Sequence, residues 1–352
     1  VTHSPAVRIE RWNFVSKLSV AVAILVLVAL SAGPVLFGAD AIDKLTTLFI
    51  YVILGVTWNA LAGYGGLVSV GQQVFFGLGA YATARLANAG VNVYFSLVLA
   101  AALVAVASLP MSAFMLRLRD GEFAIGMWVL AELCHLLVNL DGFVQGETGT
   151  SLIELDAYSA ETRHALIYWL ALASMTAIIA ILFALLRSRV GSAIQAIRDN
   201  EEAAESLGVR VLRTKRILFV FAAFGAALAG ALWLGTSISF QPKTYFGVQW
   251  TAYMIFMALV GGLGTFEGPI LGAVIFFAME ALFGASGVWY LIGLGASALA
   301  FSLFLPRGIW GSLEDRFGLQ LLPVGYRVVL SSTDVVLPPA DVELPPAHQD
   351  RG

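Results

Sequence analysis

Charge is the scarcest commodity in this chain. Only 12% of its 352 residues are Asp, Glu, Lys or Arg, whereas an ordinary soluble domain carries about 25%. Hydrophobic residues reach 59% and the mean hydropathy is +0.85. Such a chain cannot cover itself with a polar surface, which excludes a soluble globular fold. Cysteine is nearly absent. Cys134 stands alone inside an apolar run, so no internal disulfide forms and the redox compartment stays unread. No G-x-x-x-x-G-K-[ST] stretch occurs, so the chain does not cradle ATP itself. Clustered nucleophiles, bases or metal ligands are missing too, which places a membrane-bound enzyme well below a transport protein. Short alternating segments are also missing, and with them the signature of a β-barrel.

What the chain has is long apolar runs and 35 glycines. About 20 apolar residues suffice for a helix to cross the bilayer core. Residues 1–17 form a basic lead-in, followed by an apolar run over 18–37. Ala39-Asp40-Ala41 could pass for a cleavage site, but the run before it is longer than the 7–15 residues of a signal core. Further runs lie near 45–62, 69–87, 93–116, 122–140, 164–186, 215–236, 248–262, 269–284 and 288–305. The expected fold is an all-α polytopic membrane protein of about ten spans, its transmembrane region covering 18–305. From Pro306 a polar tail, 306–352, ends in LPPADVELPPAHQDRG, a composition that predicts partial disorder.

Positive charge sets the orientation. With ten spans and a cytoplasmic N-terminus, Lys44, Arg85, Arg163 and Lys243 fall outside; the other sixteen of the 20 Lys and Arg residues fall inside. The outer loop 141–163 is acidic instead. Both termini are therefore expected in the cytoplasm, together with the polar segment 188–214.

That segment is unlike anything else in the chain. Ala196–Arg216 reads AIRDNEEAAESLGVRVLRTKR, dense in both signs of charge between two apolar runs. It predicts a very short helix. Asp199 is the expected N-cap, with Glu202 completing a capping box. Glu201, Glu202 and Glu205 favour the positive end of the helix dipole, and Gly208 supplies the stop.

Two glycine-rich breaks interrupt the spans. Gly63–Gln73 holds five small residues and two amides; the second break is Gly261–Pro269. Backbone leaves the helix at membrane depth only where protein buries it or a wet cavity receives it. The second reads as a tight turn. The first, with Ser69, Gln72 and Gln73, reads as a translocation lining, to which Asn59, Tyr81 and Glu132 are added as candidates. Glu132 and His135 also share one helix face at i, i+3, a spacing compatible with a polar pair, an intramembrane relay or, least of all, a metal site. Neither cofactor nor nucleic-acid partner is expected.

Three stretches resemble one family. Gly63–Ala84, Ala196–Gly230 and Ala258–Ala273 are similar, in that order, to motifs of the LivM-type permeases of branched-chain amino acid ABC importers, and the likeness covers most of residues 20–310. The resemblance implies a fold similar to type II importer permeases and an inner-membrane location within the lipid bilayer. It implies as partners a second homologous, LivH-type permease, two ABC ATPase subunits and an extracytoplasmic solute-binding protein. It places Asp199, Asn200, Glu201, Glu202, Ala203, Ala204, Glu205 and Gly208 on the helix that docks in an ATPase. The match is looser elsewhere: Arg119-Asp120-Gly121-Glu122-Phe123 departs from R-G-x-Y-F, Thr148-Gly149-Thr150 lacks a second glycine, and His135 stands where arginine is usual. Related permeases carry urea, short amides or other amino acids. The competing reading is a proton-driven secondary transporter using Glu132, His135 and Glu280.

Overall fold

The computed structural model describes residues 7–10, 14–317, 321–322 and 327–330. Its first helices are α1 (Phe14–Ser31), the single turn α2 (Gly33–Leu36), begun by Pro34, and α3 (Ala39–Asn59). Then come α4 (Gln73–Asn88), α5 (Val93–Met115), α6 (Asp120–Asn139) and α7 (Ala160–Arg187). The polar segment folds as α8 (Arg189–Asp199) and α9 (Glu201–Ser206). The remainder is α10 (Val211–Ser237), the short α11 (Pro242–Tyr245), α12 (Gln249–Gly261), α13 (Gly268–Phe283), α14 (Val288–Phe304) and α15 (Gly308–Phe317).

Two helices make the centre. In the most apolar stretches of α3 and α10, 83% and 78% of residues are buried, against 11% in the α14 region. Small residues explain why α10 can be surrounded. A Cβ on Gly79 of α4 would run into the Ala227 carbonyl, one on Gly230 into the Phe76 carbonyl, and one on Gly225 into Thr57. Backbone therefore packs on backbone, the arrangement small residues permit between membrane helices. The outer helices show the opposite pattern. Phe114, Leu140, Trp289 and Phe304 are all exposed, as befits side chains whose solvent is lipid. Helix α1 is held at its end by α7: the Tyr168 hydroxyl donates to the Leu30 carbonyl at 2.7 Å and the Trp169 indole to that of Ser31 at 3.0 Å. Those are carbonyls the helix cannot satisfy alone.

Among the described residues, seven helical stretches are long and apolar enough to cross a membrane. Helix α1 is apolar but shorter, and α4 and α12 are shorter still, at 16 and 13 residues. The two of these beside the glycine breaks are short for a reason. The chain leaves the helix over 65–72, so α4 begins at Gln73 rather than at 69, and α12 stops at Gly261, where Gly262 turns away with φ +140°.

Small strands depart from the all-α expectation. β1 (Val7–Glu10) pairs antiparallel with β4 (Arg327–Leu330), which brings these two segments together. β2 (Thr150–Ser151) pairs with β3 (Ser239–Phe240), which staples the outer loop to the end of α10. The tail is also more ordered at its start than its polarity predicts, since α15 folds against α12 and α13. The proline-rich LPPADVELPPAHQDRG segment lies outside the described residues.

Candidate coupling and translocation site

The six residues of α9 are far too few to hold a helix in water by propensity alone. Three local devices hold them. Asn200 is extended (φ −160°, ψ 108°) and its Oδ1 accepts the Ala203 amide at 2.9 Å. At the other end the Gly208 amide donates to the Glu205 carbonyl at 2.8 Å and the Val209 amide to that of Ala204 at 3.1 Å. With Gly208 at φ +85°, this is a Schellman stop. Beneath the helix, buried Ala204 meets Ile197 of α8 and Val211 of α10.

The cap therefore sits one residue later than expected. Asp199 is the last residue of α8, because α8 keeps winding to bury Gly191, Ile194 and Ile197. With Asn200 as N-cap, Ala203 occupies the third helical position, so no capping box with Glu202 forms. Glu202, Ala203, Glu205 and Gly208 face outward, as does Leu207, a large apolar side chain at 85% exposure. Glu201 turns back to Lys215 of α10, Nζ to Oε2 at 2.6 Å, and the lysine side chain is only 12% exposed. This tether is worth on the order of 1 kcal/mol. Lys215→Met is accordingly expected to raise amide exchange across 201–206 by about fivefold, as read by hydrogen–deuterium exchange; an unchanged profile would remove the tether from the account.

Inward of α9 the two glycine breaks meet. After α3 the chain widens into a π-turn over Ala60–Tyr64 and unwinds, with the Leu67 amide reaching back to the Leu61 carbonyl. Asn59, wholly buried, bridges to the other break: its Oδ1 accepts the Gly264 amide at 2.8 Å and its Nδ2 donates to the Thr265 carbonyl at 2.9 Å. No side chain fits between the breaks, since a Cβ on Gly63 would lie 2.5 Å from the Gly264 nitrogen. From the end of α8, Arg198 Nη1 donates to the Gly63 carbonyl at 3.2 Å. Arg198, Asn200, Glu201 and Lys215 together border a cleft of about 310 Å³ against Gly65–Val68 and Arg119.

The residues expected to line a path are placed as follows. Asn59, Ser69, Gln72 and Gln73 are at most 1% exposed. Ser69 accepts the Trp58 indole at its carbonyl (3.0 Å), and the Thr251 hydroxyl donates to Gln73 Oε1. Gln72 differs, for both polar atoms of its amide are buried without a hydrogen-bond partner among the described residues. Such a group costs about 1–3 kcal/mol. Tyr81 instead donates to Asp141 at 2.6 Å, beside an Arg85–Asp141 ion pair at 2.9 Å. Glu132 is 59% exposed and faces His135 Nδ1 at 3.3 Å, while His135 Nε2 faces Glu147 Oε1 at 2.9 Å. The two carboxylates approach opposite nitrogens of one ring, so they cannot share an ion bound to either. The arrangement pins the outer loop: Glu147 also accepts from Asn139 and from the Lys243 amide, and Phe246 stacks on the imidazole at 5.6 Å.

The Tyr81 hydroxyl and the Arg85 guanidinium hold the Asp141 carboxyl below its usual range, the tyrosine contributing most. A depressed carboxyl stabilises the fold above its unfolded pKa of about 3.9 and loses that contribution as pH falls through the folded value. Tyr81→Phe should thus lower the thermal midpoint at pH 7 and converge with the parent below about pH 4. A constant gap across the pH range would mean that the hydroxyl acts by packing alone.

Arg198, Lys215 and Leu207 did not stand out in the sequence. Nothing in a single arginine or leucine of a polar loop distinguishes it, although Lys215 at the start of an apolar helix is a position where burial of the stem could be anticipated.

Comparison with known proteins decides the family. The branched-chain amino acid transport system permease component family matches residues 41–306. The chain belongs to this family. It is 26% identical over 315 residues to the high-affinity branched-chain amino acid transport system permease protein LivM of Escherichia coli K12, covering 82% of this chain and 73% of that one. It is 22% identical over 284 residues to the probable LivM permease of Methanocaldococcus jannaschii, covering 69% and 81%. Among solved structures, PsaBC of Streptococcus pneumoniae in complex with Fab aligns at a TM-score of 0.45 and 10% identity, covering 82% of this chain and 99% of that one. This permease is thus a multi-pass membrane component of an ABC transport system, a subunit class distinct from the ATPase.

Proposed function

We propose that this permease is the membrane-spanning subunit of an ATP-driven importer for branched-chain or related amino acids, in the bacterial inner membrane. Its partners in this reading are a second homologous permease of LivH type, two ATPase subunits docked from the cytoplasm, and an extracytoplasmic binding protein meeting loop 141–163. The observation that carries the reading is α9. A two-turn helix capped at Asn200, stopped at Gly208 and pinned through Ala204 transmits a push without melting. Its outward face offers Glu202, Glu205 and Leu207 to a partner, the glutamates suiting basic side chains and the leucine an apolar pocket. Ala203 and Gly208 leave room for close approach, Asp199 and Asn200 form the leading edge, and Glu201 braces the helix from behind.

The translocation path is assigned to the region of the first break. Gln72 is its best-supported member, because an interior amide with no partner has hydrogen bonds to give when the spans separate. Asn59, Ser69, Gln73, Tyr81 and Glu132 complete the candidate set, the first three becoming accessible only on that separation. A weakly polar lining suits a pore that must release its cargo.

Copurification of the four-part complex, followed by ATPase assay with leucine and candidate binding proteins, tests the reading. Solute-stimulated hydrolysis is the expected outcome. Uptake by this chain alone in proteoliposomes, driven by an ion gradient, would overturn it in favour of a secondary transporter. Leu207→Asp should weaken ATPase docking by about thirtyfold, the loss typical of a central apolar anchor, measured by retention of the ATPase on immobilised permease.

A further inference from the structure

We infer that Arg198 is the positioning residue through which movement of α9 reaches both glycine breaks at once. The inference rests on the importer reading above and adds the route by which the cytoplasmic helix is connected to the spans.

Arg198 is the penultimate residue of α8, two positions before the Asn200 cap, so any displacement of α9 carries its backbone along. Its guanidinium reaches over the end of α3. The Gly63 carbonyl it contacts would, in a continuing helix, accept the Leu67 amide; that amide goes to Leu61 instead. The carbonyl is thereby an orphan of a helix C-terminus, the kind of group a basic side chain satisfies with help from the helix dipole. The same guanidinium borders the second break. A Cβ on Gly264 would come within 3.4 Å of Arg198 Nη1 and 3.2 Å of the Gly63 carbonyl. Asn59 then locks Gly264 and Thr265 to α3 by two further hydrogen bonds. One side chain of the cytoplasmic segment therefore rests on the point where the inner ends of α3, α12 and α13 are tied together. The next residue, Asp199, holds the fork from its other side, with Oδ1 3.3 Å from both Nε and Nη2. The arginine is 40% exposed and faces the cleft, so it is free to travel rather than fixed in a core.

Pi-turns recur at functional sites because they are helical segments already partly unwound. Here the contacted carbonyl, that of Gly63, lies within the π-turn itself. Drawing Gly63 toward or away from Arg198 changes where α3 ends, and the absence of side chains at Gly63 and Gly264 passes that shift to the α12–α13 turn with nothing compliant between.

The test uses the assembled complex of this permease, its partner permease, both ATPases and the binding protein, reconstituted in proteoliposomes with leucine as probe. Arg198→Gln and Arg198→Lys are compared with Asp199→Asn. Both arginine variants should lower leucine transported per ATP hydrolysed by about tenfold, within the range typical of coupling between sites, since neither can give one nitrogen to the Gly63 carbonyl while two others stay on Asp199. Spin labels at Ser206 and Leu263, introduced after Cys134→Ser, supply a readout that a stabilising role would not move. In the parent both labels shift between nucleotide-free and ATP-bound states; in Arg198→Gln only Ser206 should. A transport-to-hydrolysis ratio within twofold of the parent, or a Leu263 label that still follows, overturns the inference. So does loss of ATPase binding by the arginine variants, which would make Arg198 part of the docking surface. Failure of the parent complex to couple hydrolysis to uptake would count against the importer reading itself.

Discussion

Gly208→Val is expected to reduce ATP-driven uptake at least tenfold, while Gly208→Asn keeps most of it. The contrast isolates backbone conformation from space. A Cβ at this position meets nothing within 4 Å, and the residue holds φ +85°. Steric exclusion is therefore irrelevant, and what matters is the cost of the left-handed conformation. That cost is about 1–2 kcal/mol for an ordinary L-residue and small for asparagine, which visits the region routinely. In a long helix such a penalty would fray one end. In α9 the Schellman bonds of Gly208 and Val209 close the second of only two turns, so losing them leaves a single turn that cannot nucleate itself. A melted α9 would no longer press Glu202, Glu205 and Leu207 against a partner as one body. Uptake by the valine variant within twofold of the parent would sink this account of the helix.

The second large effect falls on Gly63→Ala. The added methyl would collide with Asn59 Oδ1 and lie 2.5 Å and 2.9 Å from the nitrogen and Cα of Gly264. Two escapes exist and both are costly. If Asn59 swings away, the part-buried Gly264 amide and Thr265 carbonyl lose their partner, at up to about 1–3 kcal/mol each. If the α12–α13 turn retreats, overpacking costs about 1–3 kcal/mol and the breaks come apart. The loss is about 2–6 kcal/mol by the first escape and at least about 1–3 kcal/mol by the second, a large part of the stability a folded domain has to spare. The thermal midpoint in detergent should fall well below the parent's and uptake should be undetectable. Gly66→Ala is the comparison: its φ is +68° but its Cβ meets nothing closer than the Arg198 Cγ at 3.6 Å, so only the conformational cost of about 1–2 kcal/mol applies. Equal effects of the two substitutions would argue that the breaks do not touch through Gly63.

Different parts of this permease were legible to different degrees. The spans could be read because hydropathy is a sum over about 20 neighbours along the chain, and misplacing an end by a few residues changes little. The stop at Gly208 could be read because a left-handed residue after a helix has few alternatives to glycine. The cap was misplaced by one residue, at Asp199 instead of Asn200. Asp199 and Asn200 are equally good caps by composition, and burial of Ile197 against Ala204 and Val211 made α8 run one residue further. The path candidates were chosen for polarity inside apolar surroundings. Tertiary contacts then gave Asn59 two backbone partners, Gln73 a threonine and Gln72 none, a distinction that no local pattern carries.

By itself the order of residues determined that this chain lives in a bilayer, roughly where it crosses, and that one polar helix stands apart with a hard stop after it. These are consequences of solvent and local backbone preference, which act between residues near in sequence. Only the tertiary structure decided that Gly63 lies on Gly264, that Asn59 bonds Gly264 and Thr265, and that Arg198 donates to Gly63 beside them. The reason is separation: these contacts join positions 135 to 206 residues apart, and a hydrogen bond over that interval exists only once the packing of α3, α10 and α12 has brought its donor and acceptor within 3.2 Å.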